Sequence, residues 1–159
     1  MPYYRIAGAA ALLFSAFFAS YLLNSRMTKC ARRLEGFINL LRFARAQIEC
    51  YSLPVSEIFL RCDAKILADC GVPENSRPKS FVELLSQTGI SDGVSRSAVE
   101  SFADGFGKSY REEQLKGLDN TLNILVERKK ILDAEFPKKK RVNTTLCISA
   151  ALALIILML

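Results

Sequence analysis

The sequence predicts an all-α protein in which a small helical bundle lies between an N-terminal and a C-terminal transmembrane helix. Two uncharged stretches of 18 residues flank the middle of the 159-residue chain, Ile6–Leu23 and Val142–Leu159. Between them, apolar residues recur at steps of three and four, which is the period of an amphipathic helix. No segment shows the strict alternation that indicates a strand. The predicted divisions are a helix at 6–23, a bundle at 24–141 and a helix at 142–159.

The two terminal stretches have the length of membrane spans. At a rise of 1.5 Å per residue, each covers about 27 Å, close to the hydrocarbon thickness of about 30 Å. The alternative for the first stretch is a cleaved signal peptide, with the small residues Ala19 and Ser20 near its end. Arg5 is the only charge before it, and the apolar run is long, so a membrane helix is favoured. The second stretch is predicted to be a C-terminal anchor.

The net charge of +6 is concentrated beside the two stretches. From residue 27 to residue 137, sixteen basic and sixteen acidic residues cancel. The surplus consists of Arg5, Arg26, Lys138, Lys139, Lys140 and Arg141. Because five of these flank the middle segment, the positive-inside rule predicts that this segment is cytoplasmic and that both termini lie outside. The basic run also suits anionic lipid, and no nucleic-acid partner is predicted.

The composition argues against common catalytic and metal sites. There is no His, which removes His-based catalysis and most zinc sites. The five cysteines, at 30, 50, 62, 70 and 147, form no C-x-x-C pair and fit no metal-binding spacing. Cys147 lies in the second predicted membrane helix, and in a cytoplasmic domain the other four are most simply reduced thiols. We therefore predict no enzyme, no catalytic residue, no cofactor, no metal and no small-molecule substrate.

The first half of the middle segment predicts two helices. One continues from the first terminal stretch to Tyr51, with an apolar stripe of Leu34, Phe37, Leu41, Ala44, Ile48 and Tyr51. The next is predicted to start at Pro54, a favoured first helical residue, and to end at Gly71. A loop with two prolines follows up to Lys79.

The second half predicts two short helices and a long one. Ser80 with Glu83 forms a capping box for the first short helix, and residues such as Val99 and Phe102 face inward from the second. Ser109 with Glu112 forms another capping box, which opens a long helix over about 110–136 whose apolar rhythm Lys129 interrupts.

Two further features bear on the long helix. The Gly-Lys-Ser at 107–109 lacks the first glycine of a phosphate loop, because residue 102 is Phe, and no strand precedes it. Pro137 is predicted to break or kink the chain before the basic run. The two long helices are expected to pack antiparallel, with three shorter helices completing the bundle.

Two short elements of the middle segment are "QIECYSLPV" at 47–55, with Ile48 and Pro54, and "FGKSYREEQ" at 106–114, with Gly107 and Gln114. The first resembles the "EI…PL" element and the second the "LG…Q" element of the stage III sporulation protein AB family, with these residues at the family's spacing. That family is a single-copy relative of the inner-membrane platform domains of type II secretion and type IV pilus systems. The closing "ALIILML" is similar to the family's "ILL" ending, so the resemblance covers the whole chain. Gln47 stands where the family usually has Glu.

The resemblance implies a non-enzymatic platform or adaptor in the channel complex between mother cell and forespore. Such a protein would sit in the outer forespore membrane with its domain in the mother-cell cytoplasm. It would dock a secretion-type ATPase and other channel proteins. Gln47, Pro54, Gly107 and Gln114 are the candidate partner-contact residues; as structural residues, Pro54 and Gly107 would serve as a helix start and a turn.

Three other functions remain open from the sequence. The first is a platform protein of a vegetative type II secretion or type IV pilus system, although that family usually carries two copies of the domain. The second is an enzyme with an unrecognised cofactor, in which Glu112 or Asp104 would be needed for activity. The third is an exported, singly anchored protein with a mature N-terminus near Tyr21.

Overall fold

The computed structural model describes residues 3–51, 53–73, 75–90, 92–107 and 110–158, and their side chains except those of 3–7, 9–13, 157 and 158. This part of the chain is all-helical and contains no strand. Its six helices are α1 Tyr3–Tyr51, α2 Val55–Arg61, α3 Ala64–Cys70, α4 Phe81–Gln87, α5 Gly93–Gly105 and α6 Arg111–Met158. The all-α prediction is therefore confirmed.

The chain divides into two compact units. The first, which we call the core bundle, comprises Cys30–Leu132. The second, which we call the terminal helix pair, comprises Met1–Lys29 and Asp133–Leu159. Helices α1 and α6 contribute to both units, whereas α2 to α5 belong to the core bundle alone.

Within the core bundle, α1 and α6 pack antiparallel, as the sequence predicts. The Arg45 guanidinium donates to Asp119 at 2.6 Å, and the Lys129 ammonium lies 3.2 Å from Glu35. Because residue numbers rise along α1 while their partners fall along α6, the two helices run in opposite directions. The predicted apolar stripes face inward on both helices, and the buried members are Leu34, Phe37, Leu41, Ala44, Ile48, Leu118, Leu122, Leu125 and Leu132.

The single helix predicted from Pro54 to Gly71 is wrong, because the structure has two helices there. Cys62 adopts an extended conformation at the end of α2, and the Asp63 carboxylate accepts the Lys65 N–H at 2.9 Å as the N-cap of α3. Asp is among the strongest N-cap residues, since its side chain satisfies an amide that has no partner inside the helix. The Arg77 guanidinium then donates to carbonyls at the end of α2, including that of Cys62 at 3.1 Å. Four short helices, rather than three, complete the bundle.

The capping box at Ser80 is confirmed with one difference. The Ser80 hydroxyl accepts the Glu83 N–H at 3.1 Å, but the Glu83 carboxylate takes the Lys79 N–H at 2.7 Å instead of that of Ser80. Helix α4 then inserts Phe81, which is 2% exposed, among the rings of Phe59, Phe102 and Phe106 at centroid distances of 5.0 to 5.2 Å. The edge-to-face arrangement of these aromatic rings joins α2, α4 and the end of α5.

Gly36 allows the backbone of α1 to pack directly against the backbone of α3. A Cβ added there would lie 2.6 Å from the Asp69 carbonyl carbon and 2.7 Å from the Cys70 nitrogen. No side chain fits such a gap, so glycine is required by space at this position. The Arg32 guanidinium, one turn earlier on α1, donates to the Asp69 carboxylate at 2.8 Å and fixes the same contact.

The long helix of the second half differs from its prediction at both ends. It begins at Arg111, with the Gln114 N–H donating to the Tyr110 carbonyl at 3.0 Å, and the predicted cap at Ser109 lies outside the described residues. The helix also continues through Pro137 to Met158, so the proline does not break it. Pro137 still has no N–H for the carbonyl four residues earlier, that of Asp133.

The terminal helix pair leaves large apolar side chains outside. Phe14 is 80% exposed and Ile156 is 73% exposed. Within the part of the chain that the structure describes, however, no helix has a stretch long and apolar enough to cross a membrane. The transmembrane helices predicted at 6–23 and 142–159 are therefore not supported by the described residues. Part of each prediction, at 6–7, 9–13 and 157–159, lies outside the described side chains.

Candidate functional site

A groove on the core bundle brings together the two short elements singled out in the sequence. It has a volume of about 360 Å³ and lies where the end of α1, the start of α2, the end of α5 and the start of α6 meet. Its lining residues are Ile48, Leu53, Pro54, Val55, Phe106, Gly107, Arg111 and Gln114. Pro54 and Gly107 are more than fifty residues apart in sequence, so only the fold places them in one site.

The Pro54 side of the groove is set by the start of α2. Pro54 is extended, with φ −67° and ψ 153°, and its carbonyl accepts the N–H groups of Glu57 at 3.0 Å and Ile58 at 3.2 Å. It therefore occupies the N-cap position, one residue before the helical position predicted for it. A proline costs no hydrogen bond there, because the first amides of a helix have no partner inside it.

The opposite side is formed by the corner between α5 and α6. Phe106 ends α5 in an extended conformation, and its ring packs 4.6 Å from that of Phe102. Gly107 follows with φ +85°, in the left-handed region that costs glycine nothing and strains other residues. The predicted need for backbone freedom at Gly107 is confirmed. Phe106 is thereby half-buried between the core and the groove.

Arg111 closes the groove against the end of α1. Its guanidinium donates to the backbone carbonyl of Glu49. Because α1 ends at Tyr51, the Glu49 carbonyl is one of the last four, which lack a partner inside the helix. Arg111 thus ties the start of α6 to the end of α1. Gln114, one turn further along α6, presents an amide at the same rim.

Charged groups beside the groove are arranged around Arg45. The Asp119 carboxylate accepts from the Arg45 guanidinium at 2.6 Å, and so does Glu49 at 2.6 Å. The hydrogen bond to Asp119 raises the pKa of Arg45, and the negative charges of Asp119 and Glu49 raise it further. The α1–α6 contact next to the groove is therefore held by the pair of Arg45 with Asp119, while Glu49, on the same helix as Arg45, supports the guanidinium.

Three of the four predicted contact residues meet in this groove. Pro54, Gly107 and Gln114 line it together, with Ile48 buried at its base. Gln47 is half-buried on α1 but does not line the groove. The sequence reasoning missed Arg111. Its partner carbonyl lies 62 residues away, and no local pattern indicates such a contact.

The predicted flanking cations belong to the terminal helix pair. Arg26, Lys138, Lys139, Lys140 and Arg141 are all exposed. Lys139 pairs with Glu135 at 2.6 Å, one turn earlier on the same helix.

Elsewhere the titratable groups act as structural elements. Arg128 donates to Asp92 at 2.8 Å, and this hydrogen bond lowers the pKa of Asp92 to about 2. Asp92 is also the N-cap of α5, where it accepts the Ser95 N–H at 3.0 Å. Burial raises the pKa of the Cys62 thiol to about 11 and that of Cys70 further. No group of three His, Cys, Asp or Glu residues in the described ranges is placed to hold a metal ion.

Fold and groove together define the chain as an all-helical bundle protein with a mixed apolar and hydrogen-bonding groove. No protein-family profile, no curated protein and no solved structure matches this chain.

Proposed function

We propose that the chain is a non-enzymatic membrane platform or adaptor, and that the groove on the core bundle docks a secretion-type ATPase. The observation that carries this proposal is the convergence of two distant sequence elements. Residues 47–55 and 106–114 resemble the family's two short motifs, and all eight residues that line the groove come from these two elements.

The groove has the chemistry of a protein-docking surface. Ile48 and Phe106 give it an apolar base, while Arg111 and Gln114 supply hydrogen-bond donors at its rim. A few polar groups around an apolar depression are typical of sites that recognise one partner in one orientation. The volume, about 360 Å³, accommodates a few side chains of a partner segment.

The membrane part of the proposal is supported by the surface of the terminal helix pair. Phe14, Phe17 and Ile156 are each more than two-thirds exposed, an arrangement that is costly in water and favourable among acyl chains. The basic run at 138–141 lies beside this apolar surface in sequence. Within the proposed function, the basic run faces the mother-cell cytoplasm, the termini lie across the outer forespore membrane, and the other channel proteins assemble on the same platform.

The direct test measures binding between the full chain in detergent micelles and the purified ATPase encoded in the same organism. Changing Gln114 to Ala is expected to weaken binding about fivefold, since a lost hydrogen bond is worth about 1 kcal/mol. The matched control is Gln47→Ala, because Gln47 belongs to the same motif set but lies outside the groove. If the unaltered chain did not bind the ATPase at high micromolar concentration, the proposed docking role would be wrong.

A deletion in the source organism tests the cellular role. Arrest of sporulation after engulfment, with normal vegetative growth, is the expected result. The second candidate is a platform of a vegetative secretion or pilus system, which the same resemblance to platform domains favours. In that case the deletion would abolish secretion or piliation in growing cells and leave sporulation unchanged.

A further inference from the structure

The terminal helix pair contains a second groove, of about 470 Å³, between α1 and α6. Phe17 and Tyr21 line one end of it, and Asn24, Thr28 and Lys140 line the other. The four residues on α1 share one helical face, since they are spaced by four, three and four. From Phe17 to Thr28, a rise of about 16 Å along the helix, the groove changes from aromatic to polar.

The aromatic end exposes large rings without a protein partner to cover them. Phe17 is 71% exposed and Tyr21 is 65% exposed. Tyrosine is enriched where an apolar phase meets water, because its ring is apolar and its hydroxyl is polar. This end of the groove therefore suits an acyl chain near its headgroup.

The polar end contains an unsatisfied acceptor. The Asn24 Oδ1 atom is buried and has no hydrogen-bond partner among the described residues. Three of the hydroxyls that line the groove are already engaged, because Ser20 and Thr144 share a hydrogen bond of 3.1 Å and Thr28 donates to the Asn24 backbone carbonyl at 3.1 Å. A ligand that brings its own donor would satisfy the Asn24 amide.

Lys140 gives the groove its charge. Among the described residues that line the groove, it is the only ionised one, and it is exposed. Lys140 also lines an adjoining cavity of about 380 Å³ with Asn24 and Pro137. Asp133 lines that cavity and not the groove, so the charges of the cavity cancel whereas the groove favours an anion.

We propose that this groove binds one anionic phospholipid whose headgroup carries a hydroxyl, of the phosphatidylglycerol type. Its phosphate pairs with Lys140, its headgroup hydroxyl donates to Asn24 Oδ1, and an acyl chain covers Phe17 and Tyr21. Phosphatidylcholine offers the same phosphate and chains, but it has no headgroup donor and carries a cation of its own. The inference rests on the membrane setting of the proposed function.

The test is native mass spectrometry of the full chain in detergent micelles, titrated with phosphatidylglycerol. We expect Lys140→Gln to weaken binding about fivefold, which corresponds to about 1 kcal/mol for one cation near a lipid phosphate. The matched control is Lys138→Gln, which removes the same charge from the same run outside the groove and should cost less than about twofold. Asn24→Leu is expected to reduce the preference for phosphatidylglycerol over phosphatidylcholine.

If Lys140→Gln and Lys138→Gln weakened phosphatidylglycerol binding equally, the lipid would be held by the general positive charge of the surface, and the proposed site would be overturned. Equal binding of phosphatidylcholine, or of inorganic phosphate without a lipid, would also overturn it. A carbonate wash of cell membranes separates this inference from the proposed function. Release of the chain into the wash would overturn both, whereas retention with equal lysine losses would overturn the lipid site alone.

Discussion

The core bundle and the terminal helix pair treat large apolar side chains in opposite ways, although α1 runs through both. In the core bundle Phe37 and Leu41 are fully buried. In the terminal helix pair Phe14, Phe17 and Phe18 are 63% to 80% exposed. The core bundle therefore satisfies its apolar side chains internally. The terminal helix pair depends on its surroundings to cover them, as lipid or a partner protein would.

The two regions also differ in which residues their ion pairs join. In the core bundle, ion pairs join residues far apart in sequence, such as Arg128 with Asp92 and Arg32 with Asp69. Within the described part of the terminal helix pair, the Lys139–Glu135 ion pair lies inside one helix. Ion pairs thus help to specify which helices meet in the core bundle, whereas the Lys139–Glu135 pair joins residues of a single helix.

The largest expected effect comes from two phenylalanines on the same helix. Phe37→Ala is expected to lower the free energy of unfolding of the core bundle by about 3–5 kcal/mol, because a fully buried ring leaves a cavity. Phe18→Ala, at a 63% exposed ring, should change it by less than about 0.5 kcal/mol. Urea unfolding in detergent can be followed by alkylation of Cys70, which is buried in the core bundle.

If Phe37→Ala and Phe18→Ala lowered the free energy of unfolding equally, the contrast between a core bundle that buries its own apolar side chains and a terminal helix pair that exposes them would be contradicted. A small loss at Phe37 alone would mean that the neighbouring side chains close the cavity.

Two glycines of the core bundle are expected to respond to alanine substitution with changes in stability of opposite sign. Gly36→Ala is expected to destabilise it by about 1–3 kcal/mol, because the added Cβ meets the backbone of α3 at 2.6 Å. Gly105→Ala, where nothing lies within 4 Å, should be neutral or stabilising by about 0.4–1 kcal/mol. Thermal unfolding of both variants, read by the same Cys70 probe, gives the signs directly. Destabilisation by both would argue against a close α1–α3 contact.

Periodicity predicted the helices of this fold better than their boundaries. The stripe on α1 is buried from Leu34 to Ile48, because a three-four rhythm indicates which face a helix packs, whereas its last predicted member, Tyr51, is 66% exposed. The split between α2 and α3 was missed, although Asp63 is a strong N-cap residue. The apolar positions Cys62 and Ile66 keep their spacing across the break, so the rhythm alone conceals it.

The candidate site was predictable only in part. Pro54, Gly107 and Gln114 were singled out in the sequence, but their meeting in one groove depends on tertiary packing. Gln47 was singled out with them and does not line the groove. Arg111 was missed because its role arises from a carbonyl on a distant helix. Local motifs can thus indicate which residues matter without indicating what they surround.

The pH dependence of stability tests the ion pair between Asp92, at the start of α5, and Arg128 on α6. The pKa of Asp92 is lowered to about 2, first by the hydrogen bond from Arg128. A carboxyl whose pKa is lower in the folded state stabilises the fold above its unfolded value of about 4. This stabilisation should disappear as the pH falls from about 4 to about 2, with a loss of about 1–2 kcal/mol after allowance for screening by water.

Asp92→Asn separates the two roles of this residue. Asparagine remains a good N-cap for α5 but forms no ion pair with Arg128. The variant should therefore start about 1–2 kcal/mol less stable at neutral pH and lose less stability between pH 4 and pH 2. Asp104→Asn, at an exposed position, serves as the control. An unchanged acid profile in Asp92→Asn would mean that other carboxyls govern the acid response.

The smallest expected effect concerns the residue that interrupts the apolar rhythm of α6. Lys129 pairs with Glu35 at 3.2 Å, and the two side chains are 27% and 57% exposed. A double-mutant cycle with Lys129→Met and Glu35→Gln should give a coupling of about 0.2–1 kcal/mol, since exposed ion pairs are weak. This coupling energy should shrink in 1 M salt, where the screening length is about 3 Å.

Removing the Lys139–Glu135 pair is the control. It should leave the protection of Cys70 from alkylation unchanged, because that pair belongs to the terminal helix pair. If the Lys129 cycle gave no coupling at any salt concentration, the lysine would be tolerated through its long aliphatic stem alone, and the ion pair would add nothing to the antiparallel contact of α1 and α6.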